Sequence, residues 1–245
     1  MLRFIVIAAL AATLSFVPAV GSSTPQARVQ VAAAITPAPQ KVAAASEFGL
    51  DLAQAEQKAS GLAPGQTAAD FQAWLGRSSA NRARLGAFHD YLAAAGVESV
   101  VPMWQLVRTS SSWRECGAEP FEAPPADKWA HIVKTLQFVR DQVVPAVGEV
   151  EPLSAYRNEA LNACSNGARQ SAHRHFFALD LTPVNKAVER ADMIRSVCAA
   201  HAREGQAYNA GLGFYTGRRF HVDSSGFRKW GPNGKGATSP CVTHA

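Results

Sequence analysis

Two short stretches of this chain carry residues able to hold a metal ion: SAYRNEALNACSNGARQSAHRHFFALDLTP, from Ser154 to Pro183, and RFHVDSSG, from Arg219 to Gly226. In the first, His173 and Asp180 are seven residues apart, which on one helix is roughly 10 Å along the axis. On one strand an odd separation puts them on opposite faces. For both to reach one ion, the chain must bend between them. FFALDL reads as a buried strand with Phe177, Leu179 and Leu181 on one face and Phe176, Ala178 and Asp180 on the other. His173 then sits just ahead of it. In the second stretch Phe220 and Val222 alternate with His221 and Asp223, so a strand buries the apolar pair and presents the polar pair together. Two imidazoles and one carboxylate, with a position left for water, form the ligand set of a catalytic zinc site rather than a closed structural one. His175 is a competing ligand by position, and is assigned to the cleft instead.

The order Ser171-x-His173, with Ala178 and Asp180 five and seven residues after that histidine and a late His221-x-Asp223 near Trp230, resembles a known family. It is similar to the zinc D-alanyl-D-alanine carboxypeptidases and their peptidoglycan endopeptidase relatives, which share a fold with the hedgehog signalling domain. Tyr156-Arg157, Asn162 and Gly167-Ala168 extend the resemblance, which covers residues 129 to 231. It implies that His173, Asp180 and His221 bind zinc, that Arg157 and Ser171 hold a peptide, and that the reaction is hydrolysis of peptide bonds in peptidoglycan stem peptides or cross-links. Two positions depart from the family pattern. Phe176 stands where the family usually has glycine, which is expected to narrow or reshape the cleft, and Arg218 stands where many members carry the carboxylate base. Asp223, on the same face as His221, becomes the candidate catalytic base; its other role is to orient a ligand. The fold is also compatible with a zinc-bearing module that binds the cell envelope without cutting it.

The remaining sequence sets the context for these residues. The chain has 245 residues, 47% of them hydrophobic and 18% charged, enough for one globular domain with a substantial core plus extra segments. Residues 1–21, with Arg3 ahead of an apolar run and Ala19 and Gly21 at a cleavage pattern, read as a secretory signal peptide. Residues 22–63, rich in Ala, Gln, Ser, Thr and Pro, read as a low-complexity tether with a short helix over 47–58. The peptidase domain is expected over 64–245, opening with a helical part. No later stretch is apolar enough to cross a bilayer, so the chain is expected to be exported to the periplasm or cell envelope with no stable membrane insertion after signal cleavage.

Thr67 and Asp70 form a capping box ahead of Phe71, Trp74 and Leu75. Leu85, Phe88 and Leu92 define a helix over 79–95 stopped by Gly96, and residues 100–125 read as a short strand or extended run followed by a long loop. Trp129, Ile132, Leu136 and Val143 mark a helix ending before Pro145, and Val188 to Cys198 another that ends at Gly205. Residues 211–215 and 219–223 read as a hairpin turning at Thr216-Gly217. The predicted fold class is α+β, a small antiparallel sheet holding the site and packed with helices.

Cys116, Cys164, Cys198 and Cys241 in an exported chain predict two disulfides, with three pairings open. A net charge of +5 suits an acidic envelope polymer as partner. No clustered basic stripe interleaved with aromatics points to nucleic acid.

Overall fold

The computed structural model describes residues 62–242. The signal peptide, nearly all of the tether and the helix expected over 47–58 lie outside the described residues.

The helical part forms as its caps dictate. Helix α1 (Ala68–Gly76) starts at Thr67, whose hydroxyl accepts the Asp70 N–H at 3.2 Å while the Asp70 carboxylate accepts the Thr67 N–H at 2.9 Å. Helix α2 (Ser79–Ala94) starts at Ser78, whose hydroxyl accepts from the Asn81 N–H, and ends ahead of Gly96 at φ +66°. Phe71, Trp74, Leu75, Leu85, Phe88 and Leu92 are buried from these two helices. The extended run expected after them is instead a single helical turn, α3 (Met103–Leu106), set up by Pro102 at its start. The loop that follows closes on itself through an Arg108 bridge to Phe121.

Residues 126–147 form one long helical segment: a 3₁₀ turn (Ala126–Lys128), α4 (Trp129–Phe138), a π turn (Val139–Val143) and α5 (Val144–Val147). Sequence reading ended this helix before Pro145. It continues to Val147 because the Val144 N–H bonds back to Val139 O, a wider turn placed just ahead of a proline that has no N–H to give. Gly148, at φ +78°, then stops it.

The sheet has the order β1 (Val150–Ser154), β2 (Ala178–Pro183), β4 (Phe220–Asp223), β3 (Gly211–Phe214) and β5 (Arg228–Trp230). The first four pair antiparallel, as expected, whereas β5 pairs parallel with β3 and makes the sheet mixed. The class is α+β. Its register places Ser154, Asp180, His221, Gly213 and Trp230 in one row across all five strands. A second row carries Ala178, Asp223, Gly211 and Arg228. Helix α6 (Glu159–Cys164) lies between β1 and β2 in the chain, and α7 (Arg190–Glu204) between β2 and β3.

One hydrophobic core joins the helical part to the sheet, from Ala68 through Phe88, Leu136 and Leu179 to Cys241. Disulfides Cys116–Cys164 and Cys198–Cys241 tie the 107–122 loop to α6 and the C-terminal turn to α7. Such bridges belong to an oxidising, exported environment. Among the described residues, no helix is long and apolar enough to cross a membrane.

Candidate metal centre

The bend required between His173 and Asp180 is a 3₁₀ turn, Ala172–His175, capped by Phe176 in the left-handed region at φ +60°. That conformation costs a side-chain-bearing residue about 1–2 kcal/mol, and burying a phenyl ring returns a comparable amount. Phe176 is fully buried and its ring packs between Phe88 and Tyr156, at 5.7 and 6.2 Å. The expectation that it narrows the cleft is therefore corrected: its backbone takes the glycine-like shape and its ring turns into the core.

Three buried residues, His173, Asp180 and His221, bring their ligating atoms together. His173 Nε2 is 3.2 Å from His221 Nδ1 and 3.3 Å from Asp180 Oδ1, and His221 Nδ1 is 3.1 Å from the same oxygen. The other nitrogen of each imidazole faces a group that only accepts. His173 Nδ1–H donates to Ala155 O at 2.6 Å, and His221 Nε2–H to Asp223 Oδ2 at 2.9 Å. Those partners fix the tautomers, so in the neutral rings both remaining lone pairs face Asp180 and each other. Bonds of roughly 2.0–2.1 Å at tetrahedral angles separate neighbouring ligand atoms by about 3.3–3.4 Å. The triangle found here matches that spacing, so the donor set fits a metal ion.

The surroundings hold the triangle in place. Ala155, which anchors His173, donates its own N–H to Arg108 O at 2.9 Å, and the Arg157 N–H reaches back to His173 O at 3.2 Å. Asp180 Oδ1 accepts from the Tyr215 hydroxyl at 2.9 Å, and Oδ2 accepts from Arg219 at 2.6 Å with Arg157 at 3.6 Å. Burial alone would raise the Asp180 carboxyl; His173, His221 and Arg219 outweigh it and hold it well below the usual carboxylate range. Burial, reinforced by Arg157, pushes His173 down to about 4. For His221 burial acts the same way but loses to Asp180 and Asp223, which raise it. Burial, with the Asp180 charge beside it, pushes the Tyr215 phenol up, so it stays a donor.

These opposed shifts give a testable pH dependence. His173 is neutral above about 4 and so offers a free lone pair at neutral pH, whereas His221 keeps its proton to higher pH than an ordinary histidine, and a metal must displace it. In the metal-free chain the paired His221 imidazolium contributes its full stability below 6.5, its ordinary value, and loses it as pH rises through the raised one. Zinc binding at pH 6.5 is expected to release protons from His221, seen by calorimetry in buffers of different ionisation enthalpy. The release should fade at higher pH, and none at pH 6.5 would show that Asp180 and Asp223 do not hold His221 protonated there.

The remaining predicted residues fall into two groups. Arg157 and Ser171 line an open cleft of about 570 Å³ that has His173 and His221 in its wall, with Gln170, Tyr215, Trp230 and Asn233. The Arg157 Nε is buried there without a hydrogen-bond partner. Asp223 does not line the cleft. Its carboxylate sits behind His221 and accepts from both Arg228 nitrogens, at 2.7 and 2.9 Å, and from the Ser225 N–H and hydroxyl, at 2.8 and 2.6 Å. Of its two expected roles, catalytic base or support for a ligand, this position suits the one that orients a ligand. Arg218 is turned away and bonds the carbonyls of Asn185 and Val188. His175 is exposed and outside the cluster, its carbonyl accepting from His131 Nδ1.

Four residues that sequence reading did not place at the site prove integral to it. Tyr215 and Arg219 grip Asp180, and Gly211 and Gly213 make room in the sheet. A Cβ at Gly213 would overlap the Trp230 indole, which lies 5.3 Å from the His221 ring, and one at Gly211 would overlap both Asp223 and Arg228. Two glycines spaced i, i+2 in a strand are the signal that could have revealed this, since they place two close approaches on one face.

Comparison with protein-family models, with curated proteins and with solved structures returned no match.

Proposed function

We propose that this chain is a zinc-dependent peptidase of the cell envelope that hydrolyses peptide bonds in peptidoglycan stem peptides or cross-links, as carboxypeptidase or endopeptidase. The observation that carries the reading is the triangle of lone pairs beside an open cleft: two imidazoles in the cleft wall and the Asp180 carboxylate behind them, at the spacing of a tetrahedral shell that leaves a fourth position for water or substrate. When bound there, zinc supplies Lewis acidity toward water and the scissile carbonyl. Arg157 lines the cleft, and its guanidinium has the chemistry to take a peptide carboxylate in two parallel hydrogen bonds. Trp230 offers an apolar wall beside His221. The substrate class comes from the family resemblance; the periplasm as location agrees with two disulfides and a basic chain.

One observation favours the non-catalytic reading, in which the same centre only binds the envelope. Among the described residues the cleft lining contains no carboxylate, so no side-chain base of the kind found in many of the similar peptidases faces the site. Incubation of the zinc-loaded chain with purified sacculi separates the two. A peptidase releases new muropeptides, identified by mass spectrometry, whereas a binding module only co-sediments. Asp223→Asn extends the test. Losing the charge that holds His221 Nε2–H is expected to cost about 10–100-fold in zinc affinity, with turnover at limiting zinc falling in step. Full turnover with unchanged zinc affinity would remove Asp223 from the site.

A further inference from the structure

We infer that the Tyr215 hydroxyl is the cleft's hydrogen-bond donor to the substrate carbonyl during cleavage, an inference that rests on the peptidase reading above. Three observations lead to it. First, the hydroxyl lies 2.9 Å from Asp180 Oδ1, one corner of the ligand triangle, and Tyr215 lines the cleft. A group one hydrogen bond from a corner is within reach of an oxygen held at the remaining position, given that donors act over about 2.6–3.2 Å. Second, the ring is locked. The Arg219 guanidinium stands over it at 5.2 Å, Trp230 meets it edge-on at 5.3 Å, and the Tyr215 N–H donates to Arg219 O across the hairpin turn. The ring therefore stays in place, and only the hydroxyl proton has to turn from Asp180 Oδ1 to the carbonyl oxygen as charge develops.

Third, the other donors are committed to more than one group or are of the wrong kind. Arg219 spends one nitrogen on Asp180 and another on Ser111. Arg157 carries a full charge, and its nearest partner is Asp180. Ser171 is a hydroxyl too, but it lies at the entry to the 3₁₀ turn, where its side chain makes no capping bond to hold it. Tyr215 is thus the neutral, immobile donor beside the triangle. In amide hydrolysis the carbonyl oxygen gains negative charge as the water oxygen bonds to its carbon; the C–N bond then breaks and the water protons end on the new carboxylate and amine. Tyr215 takes no proton in this sequence. It stabilises the charged carbonyl oxygen by donating a hydrogen bond that strengthens as that charge appears.

Tyr215→Phe removes only the hydroxyl and keeps the ring between Arg219 and Trp230. In the zinc-loaded chain it is expected to lower kcat by about 10²–10³-fold with KM nearly unchanged, the scale for losing one such donor. Zinc affinity, measured by competition with a chelator, should fall much less than kcat, by at most about 10-fold, because Arg219 still holds Asp180. A phosphinate peptide, whose tetrahedral oxygens mimic the charged carbonyl, should bind more weakly by a comparable factor. Loss of zinc affinity in proportion to turnover would overturn the inference and leave Tyr215 as a support for Asp180. Unchanged kcat would also overturn it while leaving the peptidase reading intact. A zinc-loaded wild type that releases nothing from sacculi would instead sink the peptidase reading, and this inference with it.

Discussion

Arg108→Ala is expected to destabilise the fold by about 3–5 kcal/mol, the cost of leaving a buried charge without its partner. Arg108 is fully buried and donates to Glu151 at 3.0 Å, to Pro152 O at 2.6 Å and to Gln66 O at 3.1 Å, with its guanidinium 4.2 Å from the Trp104 ring. Burial lowers its affinity for a proton to about 10 against the pull of Glu151, so it is charged at neutral pH. One side chain thus joins the start of the helical part to β1. Removing it strands the Glu151 carboxylate on the buried strand that leads into Ala155 and Arg157. Against a total stability of about 5–15 kcal/mol for a typical domain, the loss is a large fraction. Urea unfolding followed by circular dichroism measures it. A double change, Arg108→Met with Glu151→Leu, should recover most of the loss, because it removes the unpaired charge along with the pair. A loss under about 1 kcal/mol for Arg108→Ala would show that the pair does not hold the two parts together.

Much of this arrangement was legible in the sequence because it is written in local chemistry. The Thr67–Asp70 box, Gly96 and the alternation in RFHVD each specify a conformation through neighbouring residues, and each formed as expected, whereas FFALDL is a strand only from Ala178, because Phe176 takes the left-handed turn. The three ligands were legible for a related reason: the strand period fixes which residues share a face, and the register then sets Asp180 directly opposite His221. What was not legible depends on contacts between distant segments. Arg219 and Tyr215 look like ordinary hairpin residues until β4 pairs with β2 and brings Asp180 beside them.

Pro145 reads as a helix stop, and only the π turn before it lets the helix continue. Strand β5 is three residues of mostly exposed sequence whose parallel pairing with β3 has no periodic signature. Asp223 shows the same limit within the site itself. Its place beside His221 on one face followed from alternation, but which side of the imidazole it occupies is decided by Arg228, five residues on and across Gly211. That side determines whether it meets water or holds a ligand.

The largest effect on function is expected from His173→Ala. His173 is one corner of the triangle, its tautomer fixed by Ala155 O and its free Nε2 within 3.3 Å of both other ligands. Loss of a group that merely supports a ligand costs about 10–100-fold in affinity; loss of the ligand itself should exceed the upper end of that range. Asp180 retains Arg219, Arg157 and Tyr215 as partners without a metal. The variant is therefore expected to stay folded, with its circular dichroism spectrum unchanged, which keeps loss of metal distinct from loss of structure. The direct test is metal content: the purified chain and its His173→Ala variant are loaded with zinc, dialysed to remove weakly held ion, and assayed by mass spectrometry of the elements. About one zinc per wild-type chain and almost none in the variant is the predicted result; full occupancy in the variant, or no retained zinc in the wild type, would contradict the assignment of His173, Asp180 and His221 as a metal centre.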